Sequence, residues 1–205
     1  MKATRMIAVV CLPAVVYLSA CAGFQVGQQV QAGRNALQTG RPNDAIAFLA
    51  AAAETDPGYR IPYRIREGVL TYLGRAYYET GRNKDAQQTL EKAVNRDPDD
   101  HLARVYLGLT RLRSEPDRGR KEVETGLKGI HETLEYLAAD NVYGHFWDPA
   151  GTLRSDIAMT LAAKPDDTLL IASAERIGRE FDEEIDEARR DESRALSRHS
   201  GGGGD

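Results

Sequence analysis

The chain has 205 residues, of which 41% are hydrophobic and 28% are charged, and its formal net charge is −4. This composition is too apolar for a disordered protein and too polar for a membrane protein with several spans. The small acidic excess argues against a general nucleic-acid binder, so we expect no nucleic-acid partner. Two cysteines are too few for a disulfide-stapled scaffold or for a zinc site with four cysteine ligands.

The first twenty residues differ in character from the rest of the chain. Lys2 and Arg5 form a short positive region, and an apolar run follows over residues 6–18. The run is shorter than the ~20 residues of a membrane span and fits the apolar region of a secretory signal. The tetrapeptide at 18–21, Leu-Ser-Ala-Cys, resembles a bacterial lipobox, the recognition site of lipoprotein signal peptidase.

This resemblance implies that residues 1–20 are a removable signal peptide and that Cys21 carries lipid. Residues 21–25 would then be the lipidated cysteine and a short linker, and the acyl chains would hold the protein in a bilayer. In Gram-negative lipoproteins an Asp after the cysteine often signals inner-membrane retention. Ala22 stands there instead, which favours the outer membrane, with the body facing the periplasm. An ordinary signal peptide, or an uncleaved anchor with a chance cysteine, is the alternative.

An internal repeat follows. Gly108 lies 34 residues after Gly74, and residues 67–100 form one unit whose small and apolar residues lie on two consecutive helices. These residues are Leu70, Leu73, Gly74, Tyr77, Ala86, Leu90, Ala93 and Pro98. Their types and spacing resemble the tetratricopeptide repeat (TPR), which implies antiparallel helix pairs stacked into an array.

Two further copies flank this unit. A copy at 26–59 has small residues at the matching positions, and a degenerate copy begins near 101 with a second helix that ends near Ala139. The resemblance therefore predicts an all-α fold with a TPR helix-turn-helix array over 26–140, of two clear repeats and one degenerate repeat. Residues 60–66 are extra to the 34-residue spacing. Because Pro62 suits the first turn of a helix, we expect them to extend the next helix at its N-terminal end.

The C-terminal segment, residues 141–190, is predicted to form an aromatic loop and two helices that cap and close the array. The first helix is expected to start at Asp148, followed by Pro149, and the second near Pro165. The stripe of the second helix is Leu170, Ala174, Ile177, Phe181, Ile185 and Ala188. Residues 191–205 end in four glycines, and we expect them to be a disordered tail.

The repeat register also predicts a binding groove on the concave face. Arg34 and Arg75 occupy the same offset, one residue after each aligned glycine, and that offset usually faces the concave surface of a TPR array. The predicted partner-binding residues are Arg34, Leu37, Arg75, Tyr78, Leu109 and Leu112. Such a groove suits a ligand with an acidic part and an apolar anchor, because Arg pairs well with carboxylates. The alternative is that both arginines only balance acids on neighbouring helices.

No catalytic constellation, metal site or cofactor motif is evident. The acids at 97–100 beside His101 lie at a helix start, where they suit the helix dipole, and His131 with Glu135 lacks a second histidine for a zinc site. We therefore predict no enzyme activity, no metal and no cofactor. One patch could bind a small ligand: Tyr143, His145, Phe146 and Trp147. The burial of Trp147 distinguishes a ligand patch from core.

Together these features predict an outer-membrane TPR lipoprotein that binds a protein partner in the cell envelope, as an adaptor or assembly factor. The alternative is a binder of small ligands or peptidoglycan fragments, or an enzyme, that uses residues 143–147. A third interpretation is a structural lipoprotein that self-associates through its last helix. The sequence determines neither the partner nor the oligomeric state.

Overall fold

The computed structural model of the chain describes the backbone of residues 8–200 and the side chains of residues 23–198. The described residues form a helical array, as predicted. In chain order the elements are α1 (Ala8–Gln38), α2 (Pro42–Thr55), α3 (Val69–Glu79), α4 (Asn83–Arg96), α5 (His101–Arg111), α6 (Pro116–Ala138), a 3-10 turn (Gly144–Phe146), α7 (Thr152–Ala163) and α8 (Asp167–Ser200).

Three antiparallel pairs, α1 with α2, α3 with α4, and α5 with α6, are the three repeats. In each pair a glycine of the first helix faces the second helix so closely that a side chain does not fit. A Cβ at Gly33 would lie 2.4 Å from Leu49 Cγ, and a Cβ at Gly74 would lie 2.4 Å from Leu90 Cγ. The spacing of small residues thus predicted the contacts within each repeat.

The third repeat is degenerate in sequence but regular in packing. Its second helix, α6, ends at Ala138, and the apolar stripe expected along it is buried: Val123, Leu127, Ile130, Leu134 and Leu137. A Cβ at Gly126 would lie 2.6 Å from Val105 Cγ2 on α5. The backbones of α5 and α6 therefore approach closely at Gly126.

The segment between the first two repeats corrects the sequence prediction. Residues 60–66 do not extend α3, which begins at Val69; they form a loop closed by an antiparallel bridge between Arg60 and Gly68. Pro62 disfavours helical backbone at Ile61, and the Ile61 N–H instead donates to the Glu67 carbonyl at 3.1 Å. Tyr63 of this loop stacks on Trp147.

The C-terminal residues form two helices that pack on the array, with three corrections. First, α7 begins at Thr152 rather than at Asp148, which accepts hydrogen bonds from the N–H groups of Leu153 and Arg154. Second, α8 continues to Ser200, so residues 191–200 are helical rather than disordered. Residues 201–205 lie outside the described residues.

The third correction concerns where α8 lies. Its apolar stripe is buried, as predicted. However, α8 does not only cap the end of the array: it runs back along the concave face from the third repeat to the first. Asp167 contacts Arg120 of α6, Asp182 contacts Arg34 of α1, and Glu192 contacts the loop before α3.

Candidate functional site

The concave face of the array is the candidate site, and α8 occupies most of it. The face is formed by the first helix of each repeat, α1, α3 and α5. Arg34 on α1 and Arg75 on α3 lie on it at equivalent positions, as the repeat register predicted, and both contact Asp182 of α8. The two arginines are 0% and 1% exposed.

Asp182 is the centre of this contact. Its carboxylate accepts from Arg34 Nη2 at 2.5 Å and from Arg75 Nη1 at 3.3 Å, and it lies 3.1 Å from the hydroxyl of Tyr72. Asp182 is 0% exposed. Because no water reaches the group, these charge-assisted bonds fix the position of α8 along the groove.

A second carboxylate lies one helical turn further along α8. Asp186 accepts from Arg34 Nη1 at 2.8 Å and from Gln38 Nε2 at 2.9 Å. Burial alone would raise the pKa of Asp186, but the charge of Arg34 and the hydrogen bonds from Gln38 and Arg34 outweigh burial, and the pKa is lowered. Burial acts against the charged guanidinium of Arg34, yet the nearby acids raise its pKa above the ordinary value. Both groups are therefore charged at neutral pH.

These contacts correct the prediction of an open basic groove. Arg34 and Arg75 are covered by α8, and they balance acids of a neighbouring helix, as the alternative interpretation states. Sequence reasoning did not single out Asp182 and Asp186. A signal was present, since the two acids are four residues apart and each directly follows a member of the buried stripe, Phe181 and Ile185.

Glu67 is a further buried acid of this polar contact, next to Tyr72. Its side chain is 4% exposed, Oε2 contacts the hydroxyl of Tyr72, and Oε1 has no hydrogen-bond partner. Burial, with the charges of Asp182 and Asp100, raises the pKa of Glu67 to about 8. Glu67 is thus mostly protonated at neutral pH. The Tyr72 hydroxyl has one proton, so it donates to either Glu67 or Asp182 at any one time.

One part of the concave face stays open beside the N-terminal half of α8. A depression of about 570 Å³ lies there, near the turns of the first two repeats. The lining includes Leu37, Tyr78, Leu109, Arg113 and Arg179. Three predicted groove residues therefore line one opening.

The position of Tyr78 in this opening is fixed by α8. The Tyr78 hydroxyl donates to Glu175 Oε1 at 2.7 Å, and its ring packs edge-on against Tyr106. Leu112 does not line the opening: it is buried, with its backbone against Gly119 of α6. Leu109 and Leu37 lie around the opening but are themselves buried, so Tyr78 is the predicted groove residue with exposed surface there.

The aromatic segment does not form a ligand patch. Trp147 is 1% exposed and stacks on Tyr63 with ring centroids 5.8 Å apart, which places it in the core. The ring of Tyr143 lies under the Arg64 guanidinium, 4.5 Å from its central carbon. Phe146 is half-buried against the core, and His145 is exposed beside it. The four side chains therefore face different surroundings.

The predicted lipidation site lies at the edge of what the structure describes. The backbone of residues 21–25 is part of α1 rather than a linker, and the side chain of Cys21 lies outside the described residues. None of the described helices has the length and apolar character that a membrane span requires. The described side chains also contain no group of three or more His, Cys, Asp or Glu that could hold a metal ion.

Comparison with known proteins identifies the repeats. Residues 36–112 match the tetratricopeptide repeat family, from the end of α1 through α5. This match supports a protein–protein interaction role, and tetratricopeptide-repeat proteins are generally non-catalytic scaffolds. No curated protein and no solved structure matches the chain.

Proposed function

We propose that this tetratricopeptide-repeat protein is an outer-membrane lipoprotein that faces the periplasm and acts as an adaptor or assembly factor in a cell-envelope complex. The lipobox-like tetrapeptide ending at Cys21 supports the anchor. Ala22, in place of Asp, favours the outer membrane. The repeats over 36–112 support a protein partner.

The observation that carries the binding role is that the concave face holds a helix. The three helices of this face contact α8 through their buried arginines and through the apolar stripe of α8. The groove therefore has the width and chemistry for helical ligands. Beside α8 the face remains open at Tyr78, which is half-buried, and at Arg113, which is exposed. Tyr78 within this concavity and Arg113 on its rim are of the residue types that dominate protein interfaces.

Fractionation of Cys21→Ala tests the anchor, and Cys11→Ala is the matched control because Cys11 lies inside the predicted signal peptide. Cys21→Ala should lose lipid labelling and leave the outer-membrane fraction, whereas Cys11→Ala should behave as the wild type. If Cys21→Ala still fractionates with the outer membrane, the anchor is of another kind.

Co-purification after crosslinking in cells tests the binding surface. Tyr78→Ala should weaken binding about thirtyfold and reduce the yield of a crosslinked partner accordingly, because truncating a central interface aromatic commonly costs about 2 kcal/mol. Tyr136 of α6 is 79% exposed and lies outside the opening, so Tyr136→Ala is a control that removes the same aromatic ring elsewhere on the surface. Equal yields from the two variants, both folded by circular dichroism, would remove this surface from the binding role.

A further inference from the structure

The contacts within each repeat do not involve α8, although the apolar stripe of α8 joins the same hydrophobic core. Gly33 and Gly74 face the second helix of their own repeat, where apolar side chains fill the contact. The next residues, Arg34 and Arg75, face α8. The surface beneath α8 thus combines buried charged groups with apolar side chains such as Leu102, whereas the contacts within the repeats are apolar.

A charged contact of this kind is reversible. Arg34, Arg75, Asp182 and Asp186 all lose water when α8 docks, and this desolvation offsets much of their mutual attraction. Water would restore their solvation on release. The ion pairs therefore determine where α8 docks but contribute little net free energy to docking. The apolar stripe supplies most of the attraction.

The connections of α8 also allow release. Residues 164–166 join it to α7, and Lys164 has a φ of +45°, which is disfavoured for a residue with a side chain. No element follows α8 in the described chain, so its departure separates no other helices. On the far side of α8, Glu184 accepts from the Asp148 N–H at 2.6 Å, a contact that release must break.

The docked helix shows what the groove recognises. Its buried face combines an aliphatic and aromatic stripe with two carboxylates one turn apart, opposite Arg34. These are the acidic part and the apolar anchor that the sequence of the groove predicts for a ligand. The chain thus supplies a ligand of this chemistry from its own end.

We infer that α8 is an internal ligand that closes the groove, and that the partner opens it by inserting an acidic amphipathic helix of the same pattern in its place. This inference rests on the proposed adaptor function and names the chemistry of its partner. The depression at Tyr78 and Arg113 gives the incoming helix a first contact next to α8.

Hydrogen exchange on the full wild-type chain, purified in detergent, tests whether α8 opens. Amides of α8 should exchange at least about tenfold faster than buried amides of α5 and α6, because α8 opens without the array unfolding. Equal protection in α8 and α5 would show that α8 is a fixed part of the core and would overturn the inference.

Peptide binding tests whether the groove accepts a helix in trans. The probe is a fluorescent peptide of residues 167–200. It should bind the full-length Asp182→Arg variant at least about tenfold more tightly than the wild type, because Asp182→Arg repels α8 from Arg34 and Arg75. Adding Arg34→Asp to this variant restores the pairing of α8 within the chain and should abolish the gain. The same peptide carrying Asp182→Arg should not bind.

The outcomes separate the inference from the adaptor function. If folded Asp182→Arg binds the peptide no better than the wild type, the groove is not exchangeable, although an adaptor role through Tyr78 would stand. If the variant does not fold, hydrogen exchange on the wild type decides alone. Wild-type dimers that Asp182→Arg abolishes would identify the occupant as α8 of a second copy and would overturn the partner-helix proposal.

Discussion

Asp182→Ala should destabilise the protein more than any other single change to a charged residue of α8. The substitution leaves the buried guanidinium groups of Arg34 and Arg75 without their shared acceptor. Removing one partner of a buried ion pair costs roughly 3–5 kcal/mol. That is a large share of the ~5–15 kcal/mol by which a domain is stable.

Release of α8 sets an upper limit to this loss. The stripe buries four large side chains, Leu170, Ile177, Phe181 and Ile185, at roughly 1.5–3 kcal/mol each before the cost of ordering the helix. If α8 leaves the groove, both arginines regain water, so the measured loss cannot exceed the free energy of docking α8. We therefore expect a loss of about 3–5 kcal/mol, accompanied by opening of α8.

Urea unfolding with two probes measures this loss. Circular dichroism follows the whole array, and Trp147 fluorescence follows α8, since Trp147 precedes Asp148, whose N–H bonds to Glu184 of α8. In Asp182→Ala the fluorescence transition should precede the dichroism transition. Glu183→Ala, an exposed acid on the next position, should change stability by no more than about 0.5 kcal/mol. If the two variants lose the same free energy of unfolding within that margin, the buried network of Asp182 with Arg34 and Arg75 is refuted.

Three other substitutions test separate parts of the structure. Glu67→Gln should make the melting temperature less dependent on pH between pH 5 and 9. The pKa of Glu67 is about 8 in the folded protein against an ordinary 4.5. Protonated Glu67 therefore stabilises the fold fully below pH 4.5, and this stabilisation is lost as the pH rises through 8. The lowered pKa of Asp186 acts only in more acidic solution, so a wild-type melting temperature constant from pH 5 to 9 would contradict the burial of Glu67. Gly74→Val should cost about 1–3 kcal/mol in urea unfolding, since a Cβ would clash with Leu90; unchanged stability would contradict the close approach. Trp147→Ala should cost about 3–5 kcal/mol, and a neutral effect would reopen the ligand interpretation.

The repeats could be predicted from the sequence because their signal is local. A glycine every 34 residues, or 41 where the loop intervenes, marks the close contact within each helix pair. Gly33, Gly74 and Gly108 all make that contact in the structure. The register also placed Arg34 and Arg75 on the same face, because equivalent positions in stacked repeats point the same way.

The path of α8 could not be predicted in this way. Its stripe shows that one face is buried, but the end of the array and the concave groove satisfy that requirement equally well. The choice depends on contacts between residues about 150 positions apart, such as Arg34 with Asp182 and Asp186. The loop at 60–66 also depends on a distant contact, because Tyr63 stacks on Trp147 in addition to the local hydrogen bonds that close the loop.

Site-specific photo-crosslinking in cells tests most directly whether the open concave face binds the partner. A photo-reactive amino acid at Arg113, on the rim of the opening, is compared with one at Lys128, whose side chain is 70% exposed on α6 outside the opening. We expect a discrete crosslinked protein from position 113 that is lost with Tyr78→Ala, and no such product from position 128. The same product from both positions, or one from position 113 that survives Tyr78→Ala, would contradict it.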